Sequence, residues 1–193
     1  PRWGPARGAV VVPLYCAVAL PPRTAGPPER AAVHCAGHVS RCSSAVTPDY
    51  TNYDFVRPWL AVGGAPDAPE ALAGRFQAVL DLRPEVPAEL AERYRRLGIV
   101  YRPFPLRDGA LPAGGVAVLD PVVAWVAEKH AAGERVLIHC QGGGSRAPFV
   151  AAYVLLRLEG GDAAALLRDL QRRRPAAAQM ATVFRQVLLA AGA

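Results

Sequence analysis

The chain of 193 residues is long enough for one domain of ordinary size, with some chain to spare. Its 52% hydrophobic and 20% charged residues exclude disorder throughout, and no apolar run approaches the roughly 20 residues of a membrane span. The net charge of +6 is compatible with nucleic-acid binding, but only 7% of residues are aromatic and Lys129 is the only lysine. We therefore interpret the charge as an arginine-rich compositional bias that still attracts anionic substrates.

Residues 1–48 form a stretch rich in proline, glycine and arginine, without a sustained hydrophobic period. Proline pairs at 21–22 and 27–28 break any helix, so this part is predicted to be a poorly ordered extension. An apolar run at 9–20 is typical of a targeting leader, which is the alternative to the cytoplasmic location that we expect. The ligand-type residues His34, Cys35, His38 and Cys42 lack a paired CxxC, so we interpret them as a chance cluster rather than a zinc site. We expect no metal and no cofactor in this protein.

From residue 49 onward, apolar residues recur with the periods of strands and helices. Strands are predicted at 59–62, 76–82, 99–104 and 135–139. Helices are predicted at 68–74, 87–97, 116–132, 148–158, 162–174 and 178–191. This alternation predicts an α/β domain over residues 49–193, with a mostly parallel central sheet flanked by helices on both faces. Sites in such sheets form where strands end and helices begin.

The strand at 135–139 leads into a loop that carries a cysteine, three glycines and an arginine. The sequence from 139 to 146 is His-Cys-Gln-Gly-Gly-Gly-Ser-Arg, and a helix follows it. Glycines permit positive φ angles, and successive backbone N–H groups in such a loop form a nest for an anion. The positive end of the helix dipole adds to this nest, and Arg146 can donate two parallel hydrogen bonds to a phosphate. The same groups favour the ionised, nucleophilic form of Cys140.

The segment 139–146 resembles the HCxxGxxR signature of the cysteine-based protein-tyrosine phosphatase superfamily, and the compact chain resembles the dual-specificity branch. The resemblance extends from about residue 50 to the C-terminus, where 59–63 and 166–175 are similar to segments of that branch. It implies a metal-independent phosphatase with a phosphocysteine intermediate on Cys140. The implied phosphate-binding loop consists of His139, Gln141, Gly142, Gly143, Gly144, Ser145 and Arg146.

The resemblance also implies a general-acid aspartate on a loop roughly thirty residues before the cysteine. Asp108 lies 32 positions before Cys140 in a loop that follows a predicted strand, so we expect it to be this acid and, later, the base. Asp81 is the rival, because it ends the preceding strand, although hydrogen bonds to the backbone are the expected use of its carboxylate. Asp120 stands at a predicted helix start and is interpreted as a cap.

Ala147 departs from the family pattern, in which Ser or Thr at this position is thought to ease release of the phosphoryl group. A slow or non-catalytic phosphate-binding module is therefore an alternative function. A rhodanese-like sulfur transferase is disfavoured, because it has no use for Asp108. The second cysteine–arginine pair, Cys35 and Arg41, lacks a preceding strand and is interpreted as a chance match.

The variable positions of the loop, Gln141, Gly144 and Ser145, are neutral, whereas family members that act on inositol lipids often carry basic residues there. We therefore expect a phosphoprotein substrate, with phosphotyrosine first and phosphoserine or phosphothreonine second. A lipid or an RNA 5′ end is the alternative substrate. No nucleic acid is required and no membrane span is expected, while the oligomeric state stays open.

Overall fold

The computed structural model describes residues 50–192, so the predicted extension at 1–48 lies outside the described residues. Five strands form one sheet in the order β1-β2-β5-β3-β4. They are β1 Tyr53–Arg57, β2 Leu60–Gly63, β3 Ala78–Asp81, β4 Val100–Pro103 and β5 Val136–His139. Every neighbouring pair is parallel except β1 and β2, which confirms the predicted mostly parallel sheet. Only the edge strand β1 was not predicted.

Five α-helices lie between residues 50 and 192, namely α1 Leu90–Arg96, α2 Asp120–Ala131, α3 Arg146–Glu159, α4 Ala163–Arg173 and α5 Thr182–Ala191. Three short 3-10 helices accompany them, at Pro69–Leu72, Gly115–Leu119 and Pro175–Gln179. The helix predicted at 116–132 is therefore wrong in its first part. Pro121 has no N–H group, so it cannot donate the hydrogen bond to the carbonyl four residues earlier that a continuous α-helix requires. The helix predicted at 178–191 starts later, because Met180 and Ala181 have ψ angles of 129° and 142°, outside the helical range.

Alternating strand residues separate two hydrophobic cores, one on each face of the sheet. Leu80 and Ile138 belong to the larger core, which includes residues of α2, α3, α4 and α5. Val79 and Leu137 belong to the smaller core with residues of α1 and of the first 3-10 helix. The prediction of helices on both faces is thereby confirmed. Among the helices between residues 50 and 192, none has the length and apolar character needed to cross a bilayer.

The register of the parallel strands brings three loops to one edge of the sheet. Gly63 of β2 and Asp81 of β3 both pair with His139, the last residue of β5. Because the carboxyl ends of parallel strands lie at the same edge, the segments that follow these residues meet there. The loop with Cys140 lies in the middle of them.

Candidate active site

The loop between β5 and α3 folds around the sulfur atom of Cys140. The thiol side chain is buried, and the backbone N–H of Gly143 donates a hydrogen bond to its Sγ at 3.2 Å. Gly143 has a φ angle of 75°, and a Cβ atom there would collide with the Arg174 guanidinium and with the backbone of Gly63 and Gly64. Gly142 and Gly144 do not have positive φ angles, so the expected left-handed conformation is confined to Gly143.

Arg174, immediately after α4, supports this loop from behind. Its side chain is 4% exposed, and its Nε donates to the carbonyl oxygen of Gly143 at 2.6 Å. The two terminal nitrogens donate to Asp54 and Asn52, each at 2.9 Å. Because Arg174 holds the carbonyl oxygen of Gly143 on the outer side of the loop, the N–H groups of the loop can point toward its centre. In the sequence, Arg174 stands only within a segment similar to the family, and no local signal there indicates this contact.

The guanidinium of Arg146 is only partly satisfied by the protein. Its Nη1 donates to the carbonyl oxygens of Leu106 at 3.2 Å and Leu82 at 3.5 Å, while its Nε is buried without a hydrogen-bond partner. In the described part of the chain, no carboxylate lies within ion-pair distance of it. A buried cation with an unused donor is costly unless an anion completes its contacts. The arrangement is suited to binding a phosphate.

Asp108 and Ser145 are joined by a hydrogen bond that the sequence does not predict. The Ser145 hydroxyl donates to the Asp108 carboxylate at 2.6 Å and accepts a hydrogen bond from the N–H of Ala181 at 3.2 Å. Ser145 precedes α3, but its side chain makes no capping hydrogen bond to that helix. The hydroxyl therefore places an exposed carboxylate beside the Cys140 loop.

The rival carboxylate of Asp81 is fully buried and is used by its neighbours. It accepts from the Arg83 guanidinium at 2.7 Å, from the Arg83 N–H at 3.0 Å and from the Tyr101 hydroxyl at 2.9 Å. Burial raises the pKa of Asp81, but the hydrogen bonds and the charge of Arg83 outweigh it and leave the pKa below its ordinary value. A carboxylate held ionised in this way is unsuited to donating a proton.

Asp120 does not act as the predicted cap. The residue before α2 is Leu119, and no side-chain hydrogen bond caps that helix. The Asp120 carboxylate instead accepts hydrogen bonds from the Tyr153 hydroxyl at 3.1 Å and from Arg157 at 2.8 Å on α3. It therefore ties α2 to α3.

His139 lies beneath the loop and is completely buried. Its Nδ1 is 3.3 Å from the carbonyl oxygen of Cys140 and 3.7 Å from the Asp81 carboxylate. Burial lowers the pKa of His139 below its ordinary value, although the charge of Asp81 opposes the shift. A weakly basic ring in contact with the Cys140 carbonyl oxygen is suited to ordering the loop.

This arrangement predicts a stability that is sensitive to acid. The unfolded chain takes up a proton on His139 near pH 6.5, whereas the folded protein does so only at lower pH. The free energy of unfolding should therefore decrease as the pH falls below 6.5, by at most about 1.4 kcal/mol per pH unit. Denaturant titrations at several pH values should show a flatter profile for His139→Asn than for the exposed control His130→Asn. Equal profiles would contradict the assignment.

A cleft lies beside the loop, and Arg146 is one of the residues that line it. Its volume is about 390 Å³, and it is lined by Arg83, Pro84, Glu85, Gln141 and Arg146. Nowhere in the described residues do three or more His, Cys, Asp or Glu side chains gather around a possible metal position. Gln141 and Arg146 are thus the residues of the Cys140 loop that line the cleft.

Solved structures with the same fold are phosphatases. Tk-PTP in its active form is 26% identical, covers 74% of this chain and 97% of its own, and superposes with a TM-score of 0.64. The fold is that of dual-specificity and protein-tyrosine phosphatases. Human DUSP28 is 23% identical, with 76% of this chain and 95% of its own covered and a TM-score of 0.60. No family model matches this dual-specificity-phosphatase-like sequence, and neither does any curated protein.

Proposed function

We propose that this protein is a cysteine-dependent phosphatase that hydrolyses phosphomonoesters through a phosphocysteine on Cys140. The observation that carries the proposal is the pairing of a buried thiol with an unsatisfied guanidinium in one loop. Cys140 Sγ accepts the Gly143 N–H, and the unpartnered Nε of Arg146 belongs to the residue that ends the same loop. The fold shared with Tk-PTP and human DUSP28 supports this chemistry.

In the first step, the thiolate of Cys140 attacks phosphorus and the bond from phosphorus to the leaving oxygen breaks. The loop N–H groups and the Arg146 guanidinium donate to the three remaining phosphoryl oxygens, on which charge is spread in the transition state. Asp108, in its protonated form, gives its proton to the leaving oxygen. The products of this step are an alcohol or phenol and a phosphocysteine.

In the second step, water attacks the phosphocysteine and the bond from sulfur to phosphorus breaks. Asp108, now a carboxylate, accepts the proton of the water, and inorganic phosphate leaves. Ala147 is fully buried at the start of α3 and offers no hydroxyl to the departing sulfur. We therefore expect the second step to be the slower one.

The substrate that we propose is a phosphoprotein, with phosphotyrosine first and phosphoserine or phosphothreonine second. The neutral residues Gln141, Gly144 and Ser145 in the loop support this choice over an inositol lipid. A lipid or an RNA 5′ end is the alternative class. A panel of phosphopeptides, phosphoinositides and 5′-phosphorylated RNA separates these substrates, and a strong preference for a non-protein member would reverse the choice.

The alternative function, favoured by Ala147, is a module that binds phosphate and stalls as a phosphocysteine. Rapid mixing with para-nitrophenyl phosphate in the presence of a metal chelator separates the two functions. We expect a burst of one equivalent of nitrophenol followed by steady release, because the second step is slow but complete. A single equivalent with no further release would identify the stalled module instead.

The role of Asp108 predicts a change in the pH profile. A general acid must be protonated, so kcat/KM of the wild type should fall on the basic side as Asp108 ionises. Asp108→Asn cannot ionise at this position. This variant should therefore lose the basic limb, with kcat for phenyl phosphate reduced by about 10²-fold or more. Steady-state rates across the pH range provide the measurement.

Two further variants make this assignment specific. Ser145→Ala removes the hydrogen bond that holds Asp108, so it should lower kcat by about tenfold while keeping the basic limb. Asp120→Asn is the matched control, because its carboxylate contacts Tyr153 and Arg157 on α3, and its profile should equal that of the wild type. A basic limb that persists in Asp108→Asn would exclude Asp108 as the acid.

A further inference from the structure

A second guanidinium, that of Arg83, lies at the same cleft as Arg146. The Leu82 N–H donates to the carbonyl oxygen of His139 at 2.9 Å, so the chain at Arg83 runs beside the start of the Cys140 loop. Arg146 Nη1 lies 3.5 Å from the carbonyl oxygen of Leu82, the residue next to Arg83. Both arginines line the cleft of about 390 Å³. Two cationic side chains therefore face one substrate-sized space.

The Arg83 side chain is fixed by a carboxylate beneath it. Its Nε donates to Asp81 at 3.0 Å and its Nη2 at 2.7 Å, and Asp81 is fully buried and also accepts from Tyr101. These contacts use one edge of the planar guanidinium. The outer edge, with Nη1, has no hydrogen-bond partner among residues 50–192. A planar fork with one edge anchored and the other free is preorganised to bind a carboxylate or phosphate.

The other residues that line the cleft favour polar recognition. None of them is aromatic, so none offers a ring for stacking against a phenyl group. Asp81 neutralises the net charge of Arg83, but the outer N–H groups stay hydrogen-bond donors and give direction to the contact. Glu85 also lines the cleft and repels an anion, although its exposed carboxylate is well screened by solvent.

We propose that Arg83 is a specificity-determining residue that binds a second anionic group of the substrate. Arg146 and the loop hold the phosphate that is hydrolysed, and the outer edge of Arg83 holds a phosphate or carboxylate close to it. The preferred substrates are phosphomonoesters that carry a second phosphate or carboxylate group, here termed doubly anionic. This inference rests on the proposed phosphatase function and deepens it.

The test compares matched substrate pairs by the ratio of their kcat/KM values. One pair is a phosphotyrosine peptide with and without an adjacent phosphoserine, and the other is a sugar bisphosphate and its monophosphate. We expect the wild type to prefer the doubly anionic member of at least one pair by about tenfold. A preference within the peptide pair identifies a peptide as the carrier of the second anionic group. A preference within the sugar pair identifies a small molecule instead.

Variants at the cleft assign this preference to Arg83. In Arg83→Gln the ratio should fall to about one. Arg83→Lys keeps a cation beside Asp81, but its ratio should also fall to about one. A lysine ammonium that is bound to the Asp81 carboxylate has no second pair of parallel donors for the substrate. Glu85→Gln should raise the ratio, and Arg168→Gln, on the exposed side of α4, should leave it unchanged. A ratio is insensitive to a general loss of activity, so a partly destabilised variant stays informative.

The outcomes separate this inference from the proposed function. An active wild type with ratios near one in both pairs, or an undiminished ratio in both Arg83 variants, overturns the inference alone. Dissociation constants of the same substrates for Cys140→Ser, measured by calorimetry, give the ratio without hydrolysis. A wild type that hydrolyses neither member, with tighter binding of the doubly anionic one by Cys140→Ser, overturns the proposed function and supports the inference.

Discussion

Replacement of Cys140 by Ser should abolish the hydrolysis of para-nitrophenyl phosphate, with kcat reduced by at least about 10⁴-fold. The serine hydroxyl stays protonated at neutral pH, and no described side chain at Cys140 Sγ is placed to remove its proton. The Gly143 N–H is the hydrogen-bond donor that the structure gives to Sγ, and a donor stabilises an anion rather than deprotonating a hydroxyl. Steady-state rates at high enzyme concentration provide the measurement.

The control for this experiment is anion binding by the same variant. Because the loop N–H groups and Arg146 are unchanged, Cys140→Ser should still bind tungstate, measured by calorimetry. Mass spectrometry of the wild type, quenched during turnover, should find one added phosphoryl group on the peptide that contains Cys140. Hydrolysis that survives in Cys140→Ser at a tenth of the wild-type rate or more would exclude the phosphocysteine mechanism.

The second large effect is expected for Arg146→Lys. A lysine keeps the positive charge but has neither the planar fork nor the reach to the carbonyl oxygens of Leu82 and Leu106. It therefore loses the fixed donors to the transferring phosphoryl group, and kcat/KM should fall by about 10²- to 10³-fold. Tungstate binding should weaken in parallel, because the same donors hold the ground-state anion.

Arg168→Lys is the matched control, since Arg168 is an exposed arginine on α4. Its kcat/KM and its affinity for tungstate should equal those of the wild type. Thermal unfolding of Arg146→Lys separates a loss of donors from a loss of fold, because Arg146 also joins two loops. Wild-type activity in a folded Arg146→Lys protein would mean that the guanidinium does not bind the phosphate.

The central strands were predictable because strands buried on both faces consist almost entirely of apolar residues. The predicted strands at 135–139 and 59–62 match β5 and β2 to within one residue at each end. Strand β1 was missed because it is a partly exposed edge strand whose phenylalanine, Phe55, is 38% exposed. The hydrogen-bond partners of β1 lie on β2, and the hydrophobic pattern of the β1 residues alone does not reveal them.

The parts of the site that lie close together in sequence were predictable for a similar reason. Cys140, Gly143 and Arg146 belong to one strand–loop–helix unit, so local geometry dictates the nest. Arg174 and Ser145 are different, because their partners come from distant segments. The Arg174 contact to Gly143 spans 31 positions, and the Ser145 contact to Asp108 spans 37.

The sequence by itself determined that this chain forms an α/β domain with a glycine-rich cysteine loop after its central strand. Both follow from local rules, namely the hydrophobic period and the conformational freedom of glycine. Only the tertiary structure decided which carboxylate meets the loop, that Asp81 is occupied by Arg83, and that Arg83 shares the cleft with Arg146. These choices depend on which strand ends lie side by side, and the order of strands in a sheet is set by packing of the whole domain rather than by neighbours in sequence.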